Sequence, residues 1–290
     1  MLTAIRGALA EGSLIPYIGP GVLALAGADC PVPASPETLV GRLTAKVSVP
    51  HKIRNNLTGA AQFIENFKHR KTVVALMRAA FADEIEPTEL HRWLAEQKSI
   101  PLIVHAWYDD LPQRSLVSRN DWGMVQGVSQ AEHFGQWTHH FRRDGTMTAD
   151  LHGVANDAPV TTSDEAAAWH TLLYQPFGSV APAANFLVSD SDFVEVLTEI
   201  DIQTPIPETV QSIRTGRHFL YLGCRFATQL ERGFAHQISK RSSDRHWAVM
   251  PETPTRNERR FLEQHGIERI DIPLADFVAA LTEIEQAVAA

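Results

Sequence analysis

The chain has 290 residues, with 26 basic against 34 acidic side chains and a formal net charge of −8. At 44% hydrophobic and 21% charged it can bury a sizeable core, which excludes a disordered chain. The acidic balance argues against nucleic acid or an anionic membrane as the main partner, and no apolar run reaches the roughly 18 residues of a membrane span. Two cysteines, Cys30 and Cys224, form neither a CxxC nor a disulfide framework. With no signal-peptide pattern before Glu11, the expected compartment is a reducing cytoplasm.

In chain order, the first strand-length apolar run is 14–18, closed by Gly19-Pro20-Gly21. Ser35-Pro36 then reads as a helix cap followed by proline at the first helical position. Residues 36–98 look all-helical, an inserted layer with no clear strand. Further apolar runs follow at 100–104 and 169–174. Between them, 118–165 is rich in Gly, Asp, Thr and His and reads as short strands and loops beside the sheet. Ser189 to Asp192 cap a helix that runs to Ile200. Runs at 218–222, 246–250 and 267–272 complete the strands. Phe226, Leu230, Phe234 and Ile238 recur every four residues on one helix face, and Asp276 to Ala289 form a last amphipathic helix. The runs are nearly all apolar, as strands buried on both faces of a parallel sheet are. The expectation is one α/β domain over 1–290, a doubly wound, Rossmann-like sheet of about six strands with an inserted helical lobe.

Two glycines directly after a first strand can bring backbone N–H groups close to a phosphate. They can equally make a tight turn, and Pro20 removes one donor. Later segments narrow the choice. After the second strand come His105-Ala-Trp-Tyr-Asp109; Pro87 to Leu94 form the helix before it; Ser189-Asp-Ser-Asp-Phe193 opens a later helix; and Phe219-Leu-Tyr-Leu-Gly223-Cys-Arg-Phe226 makes a late strand and turn. In these segments, and in their order, the chain resembles the bacterial sirtuin-like (silent information regulator-like) domains over nearly its full length. The resemblance implies an NAD crevice outside the carboxyl ends of the strands. Gly19, Gly21, Val22, Gly223 and Arg225 would line it, with Trp107 and Phe177 at its reactive end and Asp109 near the nicotinamide ribose.

Active members of that family cleave the nicotinamide–ribose bond with an asparagine in an Asn-Tyr-Asp motif and a histidine in a His-Gly motif that acts as general base. Here the asparagine position holds Trp107, whose indole is a single donor. The His-Gly position falls on Phe177-Gly178, with His152-Gly153 as the alternative base. Val22 and Leu23 replace the small residues after the second glycine. The departures cluster on the chemistry, so the resemblance implies a fold with lost or weakened NAD cleavage.

Other signals are weaker. His133, His139, His140 and His152 would need Glu132 or Asp144 beside them to hold a metal, and they read as surface or loop histidines. His105 and Asp109 could border the pocket as a proton-transfer pair. Two cysteines cannot build the four-cysteine zinc module of protein deacylases. The basic spots at 240–241 and 256–260 read as solvated helix faces. Three functions remain open: a nucleotide-binding regulatory or accessory protein without the chemistry; an active NAD-hydrolysing effector of the phage-defence type, with His152 or His105 as base; and a scaffold whose crevice Trp107 and Phe177 close, and which recruits a protein partner or a second copy of itself. Because the last helix ends near Ala290, any sensor is expected to be a separate protein.

Overall fold

The computed structural model describes residues 1–148, 169–199 and 206–289. The sheet is built from β1 (Leu14–Ile18), β2 (Leu102–His105), β3 (Trp122–Gly127), β4 (Thr138–Arg142), β5 (Thr171–Gln175), β8 (His218–Leu222), β9 (His246–Val249) and β10 (Ile267–Ile270). A separate two-stranded pair joins β6 (Gly178–Ser179) and β7 (Asn185–Phe186). Strand order in the main sheet is β10-β9-β8-β1-β2-β5-β3-β4, all parallel except β4, which runs antiparallel to β3. β1 therefore lies between β2, which follows it, and β8, which comes late in the chain. The carboxyl ends of these three strands form the switch point where open α/β sheets bind ligands.

Six of the eight strands are those the apolar runs mark. The other two, β3 and β4, correct the reading of 118–165 as structure beside the sheet, because β3 sits between β5 and β4 within it. β3 escapes notice because Gly123, Gln126 and Gly127 interrupt its apolar character. Gly123 has a packing reason: a Cβ there would lie 2.3 Å from the Trp169 ring.

Helices cover both faces. On one side α1 (Leu2–Ala10), α5 (Glu89–Glu96) and α11 (Leu274–Ala289) pack on Leu14, Ile103, Leu173 and Leu220. On the other, α7 (Asp190–Glu199), α8 (Glu208–Arg214), α9 (Gln229–Ser239) and α10 (Arg256–Gln264) pack on Ile15, Val104, Leu172 and Phe219. The alternation of Leu14 and Ile15 between faces is the two-residue period of a strand. Short α6 (Leu111–Ser115) follows β2.

The inserted lobe is α2 (Pro36–Lys46), α3 (Leu57–Lys68) and α4 (Arg70–Ala80), with a core of Leu39, Leu43, Ile64, Val73 and Met77. It ends near Phe81 rather than 98, because α5 belongs to the sheet layer. Arg70 ties the lobe to the body. Its guanidinium pairs with Asp192 at 2.8 Å, Glu65 at 3.2 Å and Glu132 at 3.3 Å, and donates to the Phe186 carbonyl. Among the described residues no helix is long and apolar enough to cross a membrane.

Candidate functional site

A crevice of about 510 Å³ opens at the carboxyl ends of β1, β2 and β8, within the roughly 300–1,000 Å³ of small-molecule sites. Its floor and walls are Tyr17, Gly19 and Pro20 after β1, Ala106, Trp107 and Tyr108 after β2, and Cys224, Arg225 and Phe226 after β8. The starts of α2 (Pro36, Glu37), α3 (Asn56 to Thr58) and α9 (Thr228 to Glu231) close the remaining sides, with Phe177 and Phe193 at one end. Thus the structure brings together Gly19, Trp107, Phe177 and Arg225. Gly21, Val22 and Gly223 lie behind the wall, and Asp109 does not line the space at all.

The glycine loop is arranged for packing rather than for an anion. The Gly19 amide donates to the Leu222 carbonyl at 2.9 Å, Gly21 to the Gly223 carbonyl at 2.9 Å, and Val22 to the Gly19 carbonyl at 3.3 Å. Pro20 has no amide. These residues therefore have no N–H left for a phosphate, which corrects the expectation of a phosphate-facing loop. Sterics explain the glycines instead. A Cβ on Gly19 would stand 2.6 Å from the Gly223 carbonyl and 2.8 Å from the Cys224 sulfur. Gly223 itself has φ +63°, and its Cβ would meet the Val22 nitrogen at 2.4 Å. The turns after β1 and β8 press together so closely that only glycine fits.

Trp107 is buried, and its indole N–H donates to the Pro33 carbonyl at 2.8 Å. Its ring packs on Tyr108, with centroids 5.0 Å apart, and edge-on to Phe81. Phe177 packs on Phe234 at 5.0 Å and Phe193 at 5.4 Å. Both side chains line the crevice without filling it, so the closed-crevice expectation does not hold.

Asp109 accepts from His105 Nε2 at 3.1 Å and from the Leu111 amide at 3.1 Å. Burial opposes its ionisation, but His105 and the hydrogen bonds outweigh burial and hold the carboxyl below its usual range. His105 Nδ1 in turn meets the Gln175 amide nitrogen at 3.3 Å. With Nε2 donating and Nδ1 accepting, the imidazole is committed on both sides. The pair is a buried structural network, not a proton relay on the crevice. His152 lies outside the described residues. His139 and His140 are buried in β4 rather than at the surface, and no group of three or more potential metal ligands forms among the described residues.

Arg225 is already matched. Its Nε and one terminal nitrogen grip both oxygens of Glu258 at 3.0 and 3.3 Å, and the other terminal nitrogen meets Glu252 at 3.3 Å. Although burial pushes the Glu258 carboxyl upward, Arg225 and Thr255 hold it down at about 2. Cys224 is no nucleophile, because burial pushes its thiol far above the usual range. Sequence reasoning missed Glu37, Asn56 and Glu231. The readable signal for Glu231 was Thr228-x-x-Glu231, a capping box. In it Thr228 accepts from the Glu231 amide at 3.2 Å and Glu231 from the Thr228 amide at 2.7 Å.

Comparisons with known proteins give one family match and one structural likeness. A sequence model of the family described as "SIR2-like domain" matches residues 101–270. Among solved structures, the chain is similar to one from "Structural Basis for the Mechanism and Regulation of Sir2 Enzymes". The two are 12% identical over 98% of this chain and 99% of that one, with a TM-score of 0.36. No curated protein sequence matches.

Proposed function

The chain belongs to the SIR2-like domain family, and from that premise we propose that it is a catalytically silent member that keeps the ligand crevice and acts as a binding or regulatory protein. One observation carries this reading: the crevice is open, yet its reactive end presents Trp107 and Phe177, neither of which can position a water or exchange a proton. The ionisable groups of the expected site do not compensate. Asp109 and His105 are locked in their own network away from the space, and Cys224 is a buried thiol.

NAD, the ligand the family puts first, fits the site poorly. Its pyrophosphate needs free amides or a free cation, while the amides of Gly19, Gly21 and Val22 are occupied and Arg225 is paired twice. The protein's output is then occupancy of the crevice, read by a protein partner or a second copy, rather than a reaction product. Incubation with NAD and chromatography of the products tests this. No nicotinamide release above background is expected, and turnover near about 1 per second, ordinary for an enzyme, overturns the reading.

A further inference from the structure

Charge is distributed unevenly around the crevice. Where α9 begins, the Arg225 guanidinium is bound by Glu252 and Glu258 and lies in the field of Glu231, which in turn feels Glu37. Four carboxylates outnumber the one guanidinium in this corner, and burial, with Glu37 adding to it, raises the Glu231 carboxyl above its usual range, as a carboxylate lacking a cation would be. Arg232, on the same helix, is held by the Phe226 and Ala227 carbonyls and does not line the crevice. Glu231 and Glu37 both face the open space, and neither pairs with a cation. Glu231 uses one oxygen in its capping box, which leaves the other without a partner.

The starts of α2, α3 and α9 could favour an anion through their dipoles. Each, however, has one of its first-turn amides taken by its own cap: Thr38 by Ser35, Gly59 by Asn56 and Glu231 by Thr228. Two of the three also carry a glutamate in the first turn, Glu37 and Glu231. The positive ends of α2 and α9 are therefore partly offset from within the chain.

The opposite wall is aromatic: Tyr17, Trp107, Tyr108, Phe177 and Phe193. Tyr17 is only 5% exposed, and its hydroxyl makes no hydrogen bond among the described residues. Its largely buried ring is part of the crevice wall. Aromatic faces beside unpaired carboxylates attract organic cations, through the ring quadrupoles and the charge together.

We propose that the crevice binds a phosphate-free organic cation, an aromatic or apolar body carrying an amine. The amine sits between Glu37 and Glu231, and the body lies against Trp107 and Phe177. The inference rests on the crevice being a ligand site, as proposed above, and adds the charge of its occupant.

Calorimetric titration of the full chain with three indoles of matched size tests the charge: tryptamine (cation), tryptophol (neutral) and indole-3-propionate (anion), with NAD as a fourth titrant. Tryptamine is expected to bind saturably and at least about tenfold tighter than tryptophol, and the propionate and NAD weakest. The double variant Glu37→Gln, Glu231→Gln should erase the preference for tryptamine and leave tryptophol unchanged. It should fold, because glutamine also serves a capping box. Equal binding of the three indoles, or tighter binding of the propionate or NAD, overturns the cation proposal while leaving the crevice a ligand site. If none of the four binds, the ligand-site reading falls with it.

Discussion

Gly223 shows how one residue can look like a ligand contact and be a packing requirement. Its positive φ and the 2.4 Å approach of the Val22 nitrogen leave no room for a side chain. Gly223→Ala is expected to cost about 2–4 kcal/mol, from left-handed backbone strain and a clash that only backbone movement relieves. Denaturant unfolding checks it, and an unchanged midpoint would mean the two turns are looser than they look. The same distinction separates what was legible at single positions from what was not. Trp107 and Phe177 could be placed at the crevice from their motifs alone. Asp109 could not be assigned, because its partners, His105 and Leu111, decide where its carboxylate points. Glu37 stayed hidden for a different reason: an exposed glutamate in a helix's first turn is already explained by the dipole.

Among the elements, strands were easier to read than their arrangement. Leu14–Ile18 and His218–Leu222 have the bounds their apolar runs suggest, because strands buried on both faces leave no polar residue to blur the ends. β3 carries two glycines and a glutamine, and only its neighbours β5 and β4 make it a strand. The lobe could be read as helical but not bounded, since α5 has the same periodicity as α4 and only tertiary packing assigns it to the sheet. An ionic tie reinforces the apolar contacts of Trp107, Tyr108 and Phe186 that join lobe to body. Arg70 at the start of α4 meets Asp192, whose carboxylate also accepts from Ser129 and the Val188 and Ser189 amides. Arg70→Ala leaves that buried carboxylate without its cation and is expected to cost about 3–5 kcal/mol. Limited proteolysis alongside thermal unfolding checks it. Equal stability of variant and wild type would show that the lobe is held by its apolar contacts alone.

Across the whole molecule, three buried histidines set a pH limit. Burial pushes His91, His140 and His246 from 6.5 down to about 4. Each is neutral in the fold, while the unfolded chain takes up a proton below 6.5. The stability they contribute is therefore complete above pH 6.5 and is lost as pH falls from 6.5 toward 4. The slope approaches about 1.4 kcal/mol per pH unit for each histidine. Urea midpoints at pH 7.5, 6 and 5 should fall in that order. A flat profile would mean the histidines are hydrated in the folded state. Neither ring nitrogen of His140 has a hydrogen-bond partner among the described residues, so His140→Phe should fold and reduce the slope by about one histidine's share.

The bond from the Trp107 indole to the Pro33 carbonyl ties the crevice wall to the chain's entry into the lobe. Here the indole is part of the lobe core and satisfies a buried carbonyl. Replacing Trp107 by a smaller side chain would open a cavity and leave that carbonyl unbonded, so one side chain both shapes the crevice and holds the lobe together, and the two roles cannot be altered separately.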